Sequence, residues 1–141
     1  CQATDLMHLT CACGVHLCNA VESVLQIRPG IKWINDLVHE KKKLAGILTE
    51  LVFTDNQICA IVGIGINCCQ QPEDFPAEIR DIACSLGMEP ADRSRLAAEL
   101  IRRLYDLRQE MFSEKEAIMD ICECSLASGI LSDETRLEFC L

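Results

Sequence analysis

The sequence predicts an α+β fold, an antiparallel or mixed sheet flanked by helices, and three observations carry that expectation. Apolar residues recur at helical spacing over residues 6–25 and again over residues 92–111. Between the two lie segments rich in β-branched and apolar residues, separated by polar turns. With 141 residues, half of them hydrophobic, the chain suits one domain with a substantial core.

Each element has a local reason. In the first helix Leu6, Leu9, Cys13, Leu17, Ala20 or Val21, and Val24 fall on one face, and Arg28-Pro29-Gly30 stops it. Three strands are expected next, over residues 31–35, 44–52 and 58–68, joined by short turns at "HEKK" and "TDNQ" into an antiparallel meander. After "QQPEDFPAE" a short helix is expected over residues 77–84, closed by Gly87. A longer helix follows, with Asp92 or Ser94 as its cap and Leu96, Leu100, Leu104, Leu107 and Met111 on its apolar face. Its charges, Arg95 with Glu99 and Arg102 with Asp106, read as a solvated face. Beyond Ser113 the periodicity weakens, and there is no internal repeat.

Charge narrows the function. A formal net charge of −9 gives the chain no general attraction for nucleic acid or anionic lipid. No apolar run reaches the roughly 18 residues of a spanning helix, and the first residues lack the pattern of a signal peptide, so a cytoplasmic location is expected. The eleven cysteines sit inside apolar segments and are odd in number, which reads as small buried hydrophobes rather than a disulfide framework. Cys11 and Cys13 near His8 and His16, and Cys122 with Cys124, are the metal candidates. Neither pair has C-x-x-C spacing, and no metal is assigned.

Chemistry concentrates in two stretches. In "KWINDLVHEKKKLAGILTE" a hairpin would bring Asp36 alongside Lys43, with the turn near residues 39–42. A lysine held at a strand start is a point charge suited to a phosphate or carboxylate oxygen. In "IVGIGIN" two glycines two apart leave one strand face bare, where a planar group could lie, and Asn67 closes it with donors and an acceptor. A dinucleotide fingerprint is excluded, because Gly63 and Gly65 have no third glycine and a proline-bearing loop follows instead of a helix.

Together the stretches carry a resemblance. Lys32-Trp33-Ile34-Asn35-Asp36, Lys43-Leu44-Ala45-Gly46-Ile47-Leu48 and Gly63-Ile64-Gly65-Ile66-Asn67 resemble, in order and spacing, the K-W-P-N-D, K-L-A-G-I-L and G-I-G-I-N motifs of the biotin protein ligase family (biotin--[carboxylase carrier protein] ligases), over roughly residues 6–111. The resemblance implies the biotin/lipoate ligase catalytic fold, similar to that of class II aminoacyl-tRNA synthetases. It also implies a reaction: biotin and ATP, with Mg2+, give biotinyl-5'-AMP, and the biotinyl group passes to a lysine of a biotin carboxyl carrier protein.

By the same resemblance Lys43 contacts the biotin carboxylate and adenylate phosphate and is the main catalytic residue, beside Asp36. Asn67 hydrogen-bonds the adenine, Asn35 shapes the pocket, Lys32 adds positive potential, and Gly63 and Gly65 line the cofactor site. Trp33 is expected to pack. Ile34 stands where the family has proline. The family's Gly/Arg-rich loop precedes its first helix, so the expectation is a truncated catalytic domain, inactive alone. Residues 1–112 would be its C-terminal part and residues 113–141 a linker toward a small β-barrel domain. A homodimer is admitted; nucleic acid and membrane are not expected partners. A non-catalytic remnant that binds adenylate or a protein, and a lipoate ligase-like protein, are the alternatives, as is an unrelated cysteine-rich module.

Overall fold

A computed structural model describes residues 3–53, 58–113 and 134–140. Helix α1 (Ala3–Leu25) ends where Gln26 turns to a positive φ of 58°, two residues ahead of the expected Arg28-Pro29-Gly30 stop. The strands are β1 (Gly30–Lys32), β2 (Asp36–His39), β3 (Lys42–Phe53), β4 (Ile58–Ile66) and β5 (Glu134–Cys140). They form one sheet in the order β1-β2-β3-β4-β5, with every neighbouring pair antiparallel. Helix α2 (Pro90–Ser113) lies between β4 and β5 in the chain.

Side chains alternate across a strand, so paired residues share a face. In the β3–β4 ladder Ala45, Ile47 and Thr49 pair with Ile66, Ile64 and Val62. This face carries α1: Thr10 Oγ1 donates to Thr49 Oγ1 at 2.8 Å, and a Cβ at Gly14 would stand 3.6 Å from the δ-carbons of Ile31 and Ile47. Leu9, Cys13, Leu17 and Val21 of α1 are buried, as are Leu96, Leu100, Leu104 and Leu107 of α2, which packs on α1. Burial of such side chains is worth about 1.5–3 kcal/mol each, the main term holding the layers together.

The other face of the ladder pairs Gly46 with Gly65, Leu48 with Gly63, and Val52 with Cys59. Leu48 and Val52 are exposed there, 59% and 41%. Both helices therefore cover one face, and the glycines lie on the other.

Two expectations are corrected. Residues 31–35 are not one strand: the chain reverses at Trp33-Ile34-Asn35, through a cis Trp33–Ile34 peptide, and Lys32 pairs with Asp36. Residues 77–84 do not form a helix: 77–82 are turns and Ala83 bridges to Lys43, whose N–H donates to the Ile82 carbonyl at 2.8 Å. Within α2, Arg102 pairs with Asp106 at 2.8 Å as expected, whereas Glu99 binds Arg102 and Arg103, and Arg95 turns to Asp92. The helix begins at Pro90, ahead of either expected cap, in keeping with proline's fixed φ at a helix start. Residues 114–133 of the expected linker lie outside the described residues; 134–140 form β5, paired with β4.

Candidate functional site

The site starts from a register shift. Asp36 pairs with Gly46 and Leu37 with Ala45, but Val38 then pairs with Lys43, so Leu44 is an extra residue, a β-bulge. Lys43 and Gly46 are three apart and would face opposite sides of a regular strand. The bulge resets the alternation and turns Lys43 onto the face of Asp36 and the glycines. The hairpin closes through Glu40 and Lys41, whose positive φ values, 49° and 66°, are those of a two-residue turn matched to strand twist.

On that face Lys43 Nζ and Asp36 Oδ1 form an ion pair whose side chains are 3% and 9% exposed. Burial pushes the Lys43 ammonium below its ordinary pKa, the hydrogen bond and charge of Asp36 oppose that, and Lys32 lowers it further. Such a pair costs desolvation that its own attraction barely offsets, so it is weak as a stabilising device. It is well suited to presenting a cation, already dehydrated and oriented, to an incoming anion.

The backbone around Lys43 is held from a distant segment. Strand β4 ends its pairing at Ala45, and residues 82–86 take its place: besides the bond to Ile82, Cys84 N–H donates to the Lys43 carbonyl at 2.8 Å, and Lys43 and Ala83 form a parallel bridge. Asn67 fastens this strap. It is 1% exposed, and its Nδ2 donates to the Cys84 carbonyl at 2.9 Å and the Lys43 carbonyl at 3.5 Å. Its own N–H donates to Leu44 and its carbonyl accepts from Leu86, both at 2.9 Å.

The remaining expected residues divide. Lys32, Lys43, Asp36, Gly63 and Gly65 fall on the same sheet face by register. Asn35 bonds to β3: its Nδ2 donates to the Ile47 carbonyl at 3.2 Å, and its carbonyl accepts from Ile47 N–H at 2.8 Å. Trp33, expected to pack, is 49% exposed, because it sits in the β1–β2 reversal. Sequence reasoning missed the strap; Cys84 inside an apolar run looked only like core.

Cys13, Cys18, Cys68, Cys69 and Cys84 are free thiols. Burial pushes Cys13 up to about 12 and Cys18 to about 11, and raises Cys68 and Cys84 as well. Among the described residues no group of three or more His, Cys, Asp or Glu could hold a metal ion, and no helix is long and apolar enough to cross a membrane.

A family model described as "Biotin/lipoate A/B protein ligase family" matches residues 1–67. The bifunctional ligase/repressor BirA of Bacillus subtilis (strain 168) is 41% identical over 86 residues, 60% of this chain and 26% of that protein. The biotin--[acetyl-CoA-carboxylase] ligase of Mycobacterium tuberculosis (strain ATCC 25618 / H37Rv) is 33% identical over 99 residues, 68% of this chain and 35% of that protein. Among solved structures, apo biotin protein ligase from Aquifex aeolicus superposes with a TM-score of 0.74 at 27% identity, covering 89% of this chain and 56% of that one. The Aquifex aeolicus ligase in complex with biotin and ATP gives 0.60 at 28% identity, covering 85% and 46%. Over the matched region these likenesses support the biotin protein ligase family. It spans 26% to 35% of these curated relatives and 46% to 56% of these solved chains.

Proposed function

We propose that this chain carries the adenylate-handling surface of a biotin protein ligase, one that makes biotinyl-5'-AMP from biotin and ATP and passes the biotinyl group to a lysine of a carboxylase carrier domain. The observation that carries the reading is the buried Lys43–Asp36 pair on the face of the sheet opposite α1, beside Gly46, Gly63 and Gly65. Attack of the biotin carboxylate on the α-phosphate of ATP builds negative charge at phosphorus and releases pyrophosphate. A dehydrated ammonium held at that point stabilises the charge without reorganising at the moment of reaction. Lys43 is assigned that role, and Asp36 holds the ammonium in place.

Lys32 adds positive potential at the rim, and Asn35 fixes the β1–β2 reversal against β3. The adenine is assigned to the neighbourhood of Asn67, where the end of β4 meets the strap. The flat part of the ligand is assigned to the partly exposed Gly63, where among the described residues a Cβ would meet only Leu48, at 3.8 Å. Magnesium enters as part of the ATP substrate, carried by the phosphates, which need at most one or two protein carboxylates.

The test is selective binding. Stable analogues of biotinyl-adenylate and lipoyl-adenylate, and AMP alone, are titrated into the chain by calorimetry. The biotinyl analogue is expected to bind at one site and more tightly than the other two. Equal affinity for the lipoyl analogue would turn the reading toward a lipoate ligase-like protein, and affinity no better than AMP would remove the biotin assignment.

A further inference from the structure

We propose that residues 82–86, fastened by the Asn67 carboxamide, are a positioning strap that holds Lys43 on the Asp36 face. Its catalytic meaning rests on the ligase reading; its existence does not. A bulge is a local freedom as much as a local shape, since the extra residue breaks the regular ladder and leaves nearby groups without regular partners. At this bulge the backbone of Lys43 is tied by the strap: N–H to Ile82, carbonyl from Cys84, each at 2.8 Å. The neighbouring Leu44 carbonyl accepts from Asn67 N–H at 2.9 Å.

The carboxamide closes the arrangement. From a site 1% exposed, Asn67 Nδ2 reaches the carbonyls of Cys84 and Lys43 together, joining the end of β4, the strap and the bulge through one side chain. Cys84 adds a third tie: its thiol donates to the carbonyls of Lys42 at 3.5 Å and His39 at 3.6 Å, so the strap also grips the hairpin leading into Lys43. Asp36 on β2 holds the ammonium by its charge, while the strap holds the backbone that presents it. Without the strap the bulge is free to swing Lys43 to solvent while the sheet, ordered by α1 and α2, remains. Asn67 and Cys84 are thus positioning residues that act through Lys43.

The experiment reads the ammonium itself and uses no ATP or biotin. The 141-residue chain is treated with a water-soluble acylating reagent, and the labelling rate of Lys43 relative to the exposed Lys41 is followed by peptide mass spectrometry. Asn67→Ala is compared with Leu104→Ala, a core change in α2, at temperatures equally far below their midpoints. In the unaltered chain Lys43 is expected to label far more slowly than Lys41. Asn67→Ala should raise the ratio at least tenfold, since losing even the shorter of its two buried hydrogen bonds makes about that change in a local opening equilibrium, while Leu104→Ala leaves it unchanged. The NMR signal of a slowly exchanging Lys43 ammonium should vanish in the first variant and persist in the second. An equal rise in both variants would reduce Asn67 to a general stability residue and overturn the proposal. Should Asn67→Ala fail to fold, hydrogen exchange in the unaltered chain decides: the amides of Lys43 and Cys84 are expected to open together, in a step short of global unfolding, and independent opening would overturn the strap. Because no ligand is involved, failure here leaves the ligase reading standing, and failure of analogue binding leaves the strap standing.

Discussion

At the residue scale, the pair of Asp36 and Lys43 is where electrostatics and function meet, and its pH behaviour has a sign. Burial holds the Lys43 pKa below its ordinary 10.5 in the folded chain. Between the lowered value and 10.5 the folded chain has lost a proton that the unfolded chain keeps, so this lysine's contribution to stability rises with pH there and is flat below. Asp36→Asn removes the charge that opposes the drop and leaves only a neutral hydrogen-bond acceptor, so the pKa falls further and an ammonium without a counter-ion stays buried at neutral pH. The variant should lose about 3 kcal/mol at pH 7, and urea unfolding should show a smaller deficit at pH 10. An identical deficit at both values would mean that the pair is not the source.

Cysteine makes a second residue-scale case. With thiols raised to about 12 and about 11, Cys13 and Cys18 carry almost no thiolate at pH 8. Iodoacetamide should leave both unmodified in the folded chain and reach both in urea, read by mass spectrometry. The reading of these cysteines as small core residues was legible because both lie in an apolar segment, Cys13 at helical spacing with Leu9, Leu17 and Val21, which are buried with it.

At the scale of elements, legibility followed the source of the hydrogen bonds. Helices α1 and α2 and the β3–β4 ladder bond within themselves or to near neighbours, and their apolar periods announced them. The turn near residues 39–42 was also legible, from its lysine run between strands. Its chemistry is less favourable than its geometry: Glu40 and Lys41 hold positive φ, where glycine is at ease. Lys41→Gly should therefore stabilise the chain by about 0.5 kcal/mol, measured by thermal unfolding, with no effect on ligand binding.

Residues 77–84 were misread as a helix for the opposite reason. The carbonyl of Ile82 and the N–H of Cys84 serve Lys43, some forty positions earlier, and a tertiary demand of that kind leaves no local signature. The reversal at Trp33-Ile34-Asn35 was hidden likewise, since β-branched and aromatic residues with no glycine or proline read as continuous strand. The bulge at Leu44 could not be read from Lys43-Leu44-Ala45 at all. It exists only in the register against β2.

For the whole molecule, the helices occupy one face of the sheet and leave the other to the site. The glycines on that other face were legible from their spacing; that Gly46 stands opposite Gly65, carrying the run of glycines to a second strand, needed the ladder. Gly63→Val tests the division of labour between faces. The added Cβ meets only ordinary contacts with Leu48, and valine suits a strand, so unfolding stability should change by no more than about 0.5 kcal/mol. Affinity for a biotinyl-adenylate analogue should nonetheless fall at least tenfold, about 1.4 kcal/mol, since the side chain would occupy the strip assigned to the ligand.

All of this depends on Lys43 meeting the adenylate, and that can be measured without altering a residue. The pKa of Lys43 is followed through its ε-carbon NMR shift in lysine-labelled chain, first alone and then saturated with a stable biotinyl-adenylate analogue. An anionic phosphate group set beside a buried ammonium favours the charged form, so the depressed pKa of Lys43 is expected to rise on binding. Saturable binding that leaves the Lys43 titration unmoved would contradict the account, because the ligand's charge would then lie elsewhere.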